Sequence, residues 1–165
     1  KQLVYHPELL YVAAMFHDLG LVDGHRTDDE RFEVDSANSA KAFMKPFGLS
    51  ADDVEQVWLA IALHTTPGVP HHLRPNVALV TAGVEMDVLG IDYAAFPAAQ
   101  REAVVHAHPR GEGFKECILC AFANGFKHRP LTTFGTVNAD VLVDSDPGFK
   151  PLNFVEIIRK SPWAS

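Results

Sequence analysis

The chain has 165 residues, of which 47% are hydrophobic and 21% charged, and a formal net charge of −7. That length fits one domain with enough chain for a real core, and the balance is ordinary for a globular fold. The acid excess and the lack of a basic block exclude nucleic acid and an anionic membrane as partners. The longest apolar run, residues 9–16, falls far short of the roughly 20 residues that span a bilayer.

Apolar residues recur at the helical spacing i, i+3, i+4, i+7. Leu10, Ala13, Ala14 and His17 share one stripe behind Pro7, a residue suited to a first helical turn. Ala40, Phe43, Met44 and Phe47 make a second, closed by Gly48. Ser50-Ala51-Asp52-Asp53 resembles a capping box with Asp in place of Glu. It opens a third helix carrying Val54, Val57, Trp58 and Ile61. A fourth is predicted over 75–89, with Val77, Val80, Val84 and Val88 inward and Gly90 at its end. Residues 97–107 and 113–128 read as two more, and 153–159 as a last short helix before Ser161-Pro162. Residues 137–143 alternate weakly and read as an extended tail. The loops 21–34, 65–74 and 129–150 hold most of the Gly and Pro. No repeat or domain boundary interrupts the pattern. The expected fold is all-α, a compact helical bundle forming a single domain over 1–165.

Cys117 and Cys120 form a lone CxxC, with no second pair and no strand-to-helix turn before it. They read as small buried apolar thiols, and the compartment as cytoplasmic.

The chemistry-bearing residues sit on the apolar stripes. The pair His17-Asp18 closes the eight-residue run and is followed by Leu19-Gly20. His64 lies seven residues after Val57 and three after Ile61; Asp87 lies seven after Val80 and three after Val84. Both are therefore expected to face inward. A buried unpaired carboxylate costs several kcal/mol, so each acid needs donors, a cation or a metal. Asp18 also meets the negative end of a helix macrodipole. Four such groups suggest one shared polar site; the rival reading is separate core polar groups, each satisfied locally. Nitrogen and carboxylate ligands suit Zn, Mn, Fe, Co or Mg. No phosphate-cradling loop or Gly-x-Ser-x-Gly elbow competes.

Five stretches carry a resemblance. They are Phe16-His17-Asp18-Leu19-Gly20-Leu21; Arg31-Phe32-Glu33-Val34-Asp35 with Ala37-Asn38; the run from Trp58 through Ala62-Leu63-His64-Thr65-Thr66-Pro67-Gly68; Asp87-Val88-Leu89-Gly90; and Gly113-Phe114-Lys115. Together they resemble the HD superfamily of metal-dependent hydrolases, and more closely the branch similar to cyanamide hydratase. The resemblance implies an HD-type bundle with one divalent metal ion, Zn, Fe or Mn, held by an upstream His, the His-Asp doublet and a distal Asp. His17, Asp18 and Asp87 take three of those places. His6 is the sole candidate before the doublet, but at eleven residues' distance on one helix it would stand about 16 Å from His17. The expectation is that the helix bearing the first ligand was lost upstream of Lys1 or never belonged to the chain.

The implied activity is hydration of cyanamide to urea by a metal-activated water, with a small molecule as the partner. His64 would shuttle the proton or bind substrate, Glu33 is the second choice, and Thr65 and Thr66 would hydrogen-bond a small polar substrate. Each has a structural rival: Glu33 pairing with Arg31 or capping a helix, and the threonines shaping the turn before Pro67-Gly68. Some relatives hold a second metal through later histidines, but His71-His72 reads as a solvated loop. An HD phosphohydrolase is the alternative. It would want clustered cations, and Arg26, Arg31, Lys41 and Arg74 are dispersed, which tilts toward a neutral substrate. A catalytically inactive HD-fold binding or sensor module is the reading from another class. Assembly as a homo-oligomer stays open.

Overall fold

Pro7 opens α1 (Pro7–Phe16), where its missing N–H has no intrahelical role, and the His6 ring accepts from the Leu9 N–H at 3.5 Å. The computed structural model describes residues 3–162. Residues 1–2 and 163–165, the two ends of the domain expected over 1–165, lie outside the described residues.

Helix α2 (Phe32–Met44) begins before the 40–47 stripe suggests. Glu33 and Asp35 in its first turn suit the positive end of the helix dipole. Its buried face is Phe32, Ala37, Ala40 and Met44. Phe43 and Phe47, expected inward, are 48% and 63% exposed. The helix tightens to a 3-10 turn at Lys45–Phe47, which breaks the stripe's spacing.

Helix α3 (Ala51–Ala62) is the centre of the fold and packs on α1, α2 and α4 (Pro75–Val84). Ser50 caps it as expected, accepting from the Asp53 N–H at 3.1 Å. Asp53 accepts from the Ser50 hydroxyl at 2.6 Å, not from the Ser50 backbone N–H that a capping box would use. Leu9, Ala13, Ala37, Ala40, Met44, Val57, Ala60, Ile61, Val77 and Val80 form the main core among these four helices. The small residues allow close helix contacts, and burial of the larger ones supplies the driving force at about 25 cal/mol per Å².

Two features at the ends of α1 and α4 place the candidate site. The helix predicted over 75–89 is α-helical only to Val84; Glu85–Leu89 forms a π-turn, closed by Gly90 at φ +72°. Helices α1 and α4 are also tied at their N-terminal ends. The buried Asn76 amide donates to the His6 carbonyl and accepts from the His6 N–H, both at 3.0 Å. The two helices therefore run parallel, with His17 and Asp87 at their C-terminal ends.

A second core joins Phe32 to Phe126 and Leu142, on α6 (Phe114–Phe126) and α7 (Asn138–Ser145). The segment 137–143 was expected as extended tail. It is helical because Leu142 is buried and Val141 packs beside it, a one-sided contact that strand alternation would divide between two faces. The turn Leu19–Leu21 is wedged between α2 and α6. A Cβ on Gly20 would overlap the Phe32 carbonyl, and one on Gly125 would overlap Leu21. Cys117 and Cys120 are exposed, correcting the buried-thiol expectation. The inward stripe of α6 runs through Phe122, Gly125 and Phe126, and both thiols fall off it. Helices α5 (Ala98–Ala107) and α8 (Phe154–Arg159) contribute no buried residue. Among the described residues there is no strand, and no helix is long and apolar enough to cross a membrane.

Candidate metal centre

His17 caps the C-terminus of α1, Asp18 follows it, and His64 sits in the turn after α3. Packing of α1 on α3 brings the three together. One ligand atom from each lies within 4.8 Å of those of the other two. His17 Nε2 stands 3.3 Å from Asp18 Oδ2, and His64 Nε2 stands 3.4 Å from Asp18 Oδ1. The two imidazoles meet edge to face with centroids 5.0 Å apart, and Phe32 packs against the far side of His64 at 5.7 Å.

The backbone fixes which ring nitrogen points inward. His17 Nδ1 lies 2.7 Å from the Ala14 carbonyl, and His64 Nδ1 lies 2.6 Å from the Ile61 carbonyl. A carbonyl only accepts, so each Nδ1 carries the proton and donates. Each neutral ring therefore turns an Nε2 lone pair toward the Asp18 carboxylate. Asp18 Oδ1 is buried and receives no hydrogen bond. Three acceptors facing one another repel unless a proton or a cation lies between them.

Charge behaviour is set by the same contacts. Burial disfavours protonation of His17, but the hydrogen bond and charge of Asp18, the Ala14 carbonyl and the charge of Asp87 outweigh it and raise its pKa. Burial likewise disfavours ionisation of Asp18, yet the imidazoles, when an Nε2 carries a proton and donates to it, hold it well below the usual carboxylate range.

The donor set fits a divalent ion. Two imidazoles and a carboxylate, each offering a ligand atom within 4.8 Å of the others, are the nitrogen and oxygen donors that would hold such an ion. Backbone-anchored imidazoles are also how metal-binding histidines are held in orientation. His64 is almost fully buried, whereas the His17 and Asp18 side chains are 28% and 34% exposed, so the cluster is open on one side.

The other predicted site residues lie elsewhere. Asp87 does not face inward: its side chain is 62% exposed and ion-paired with Arg110. The spacing from Val80 and Val84 assumes 3.6 residues per turn, and the π-turn beginning at Glu85 turns the carboxylate away. Asp87 and His17 still line the same groove, of about 320 Å³, between α1 and α4. Glu33 is fully buried. It accepts from Arg31 Nη2 and Nε at 2.9 and 3.3 Å, from Asn138 Nδ2 at 3.0 Å and from the Thr65 hydroxyl. Three of those contacts converge on Oε1 and one reaches Oε2, which commits the carboxylate to the fold. Burial raises the Glu33 pKa, but Arg31, Thr65 and its own N–H outweigh that and lower it. Thr65 thus serves Glu33, and Thr66 anchors the turn through its N–H to the Leu63 carbonyl at 2.8 Å. His6 is held at the opposite end of α1 by Asn76, and His71 and His72 are exposed.

Arg129 was not anticipated. It is 3% exposed and pairs with Asp35. It also donates to the carbonyls of Gly20 at 2.9 Å, Thr27 at 2.9 Å and Glu30 at 2.8 Å. It pins the loop that leaves Asp18 onto α2 and α6. The one available signal was Asp35 itself, an acid on a helix whose neighbours are apolar; spacing cannot name a partner 94 residues away.

Among families, the model described as HD domain matches residues 4–91, the stretch holding α1 to α4 and the histidine–aspartate cluster. No curated protein and no solved structure matches the chain.

Proposed function

The chain belongs to the HD domain family, whose members are in general metal-dependent hydrolases, and from that membership we propose that it hydrolyses or hydrates a small molecule with a divalent metal ion held by His17, Asp18 and His64. The observation that carries this is the buried, donor-free Asp18 oxygen facing two imidazoles whose protons are committed to backbone. Such an ion, when bound, lowers the pKa of water and supplies hydroxide near neutral pH.

The chain's own residues do the rest. The carbonyls of Ala14 and Ile61 hold the ring orientations. His64, walled in by Phe32, closes the back of the cluster, and the exposed edges of His17 and Asp18 leave the front to substrate. His64 therefore acts as a ligand in this reading, and Asp87 acts on His17 through its charge. Thr65 gives its hydroxyl proton to Glu33, which leaves Thr66 as the hydroxyl offered to substrate.

Within this class a neutral, nitrile-like substrate such as cyanamide is the finer proposal. Three of the four cations that would bind a phosphate are engaged elsewhere: Arg31 with Glu33, Arg74 with Asp52, and Arg26 with Asp23 and the Asn124 carbonyl.

Metal analysis of the purified chain and its variants tests the centre. One equivalent of Zn, Fe or Mn in the wild type and its loss in His17→Ala and His64→Ala are expected. Full metal content in His64→Ala would return that residue to a proton-shuttle role. A metal-free wild type after reconstitution would leave only a binding module. Urea release from cyanamide, set against phosphate release from a nucleotide panel, then separates the two substrate classes.

A further inference from the structure

The groove between α1 and α4 begins at Leu10 and Leu79 and ends at His17 and Asp87, with Ala14 and Gly83 between them. Leu10 to His17 spans seven residues, about 10 Å of helix. No Lys or Arg lines it. Its polar end is formed by His17, one member of the histidine–aspartate cluster, and Asp87.

Gly83 is the residue that needs explaining. A glycine inside a helix costs about 1 kcal/mol relative to alanine. Gly20 and Gly125 are required by the main chain or side chain that would overlap a Cβ. Gly83 has no such reason: a Cβ there would meet nothing within 4 Å, and its φ is not positive. Its missing side chain therefore serves the groove rather than the packing. The groove's volume of about 320 Å³ also exceeds cyanamide's need. It holds about ten water-sized groups, and cyanamide has three non-hydrogen atoms.

We propose that this groove is the substrate channel of the metal centre, and that it takes an uncharged organic molecule whose aliphatic arm lies between α1 and α4 over Ala14 and Gly83, with its reactive polar group at His17. This rests on the hydrolase reading above and extends its neutral-substrate class to molecules longer than cyanamide, with Gly83 setting how long the arm is.

The test titrates metal-reconstituted protein with straight-chain primary amides, from propanamide to heptanamide, following the backbone amide signals of Ala14 and Gly83 by NMR. The dissociation constant is expected to fall about fourfold per added methylene, as burying each group in an apolar slot implies. Gly83→Leu fills the slot, so it should keep the metal, melt no lower than the wild type and lose the chain-length gain. Gly83→Ala should melt higher and keep most of it. A flat series in the wild type, or a Gly83→Leu series matching the wild type, overturns the proposal. A chain-length gain in protein that retains no metal keeps the groove as a binding site and refutes the hydrolase reading instead.

Discussion

Two kinds of acid lie in the same interior. Glu33 and Asp35 on α2 are surrounded by donors: Arg31, Thr65 and Asn138 for one, Arg129 and the Thr27 N–H and hydroxyl for the other. Asp18, at the end of α1, faces two nitrogen lone pairs and has one buried oxygen with no donor. The first arrangement is complete as protein alone and ties the loop and α7 to the main bundle. The second is incomplete with both rings neutral and asks for a proton or a cation. A buried carboxylate thus reports its role through its neighbours: donors mean architecture, acceptors mean a ligand.

The contrast breaks most visibly at Arg129. Arg129→Ala leaves Asp35 charged, 4% exposed and without its cation, and strips three loop carbonyls of their donor. Removing one partner of a buried ion pair typically costs about 3–5 kcal/mol. Denaturant unfolding of the metal-free variant should show a loss of that order. A loss under about 1 kcal/mol would mean that Asp35 is no better supported than Asp18.

Glu33→Gln comes next. The amide nitrogen cannot accept, so it leaves at least one buried donor unpaired, at about 1–3 kcal/mol. The pH profile carries the sharper signature. The Glu33 pKa is lowered in the folded chain, so its ionised form adds stability above the ordinary carboxyl value, 4.5. That stability is lost as pH falls below 4.5 through the folded value. Glu33→Gln should flatten this acid limb. A variant that unfolds in acid along the wild-type curve would show that the network does not stabilise the ionised carboxylate.

How far the sequence revealed this obeys the same division. Helical spacing located α1, α3, α6 and the start of α4, because one-sided burial imprints a period on the residues that do the burying. It also marked His17, Asp18 and His64, since a polar residue on an apolar stripe stands out against that period. It misjudged Asp87 because the π-turn changes the period just where the extrapolation from Val84 was made. It missed α7 because that helix is short and buries little besides Leu142 and Asn138. For Glu33 it offered the pair with Arg31 beside a catalytic role, but not Thr65 and Asn138, which are 32 and 105 residues away. Local geometry was legible; the pairings that close the polar interior depend on contacts between distant segments.

The smallest stability effect is expected at Asp18, and it is the most telling. At a pH high enough to keep His17 neutral, Asp18→Asn in the metal-free protein removes a carboxylate that faces two nitrogen lone pairs. It also supplies an amide N–H able to donate to an Nε2 at 3.3 or 3.4 Å, so stability should stay within about 1 kcal/mol of the wild type or rise. The same substitution removes an anionic ligand, so added Zn, Fe or Mn should no longer raise the unfolding midpoint as it does in the wild type. An acid that held the fold would behave in the reverse way, costing stability without metal and little in metal response. Unfolding curves of both proteins, with and without metal, read the two quantities separately. A metal-free Asp18→Asn protein destabilised as much as Arg129→Ala would place Asp18 with the architectural acids and remove the ground for a metal centre.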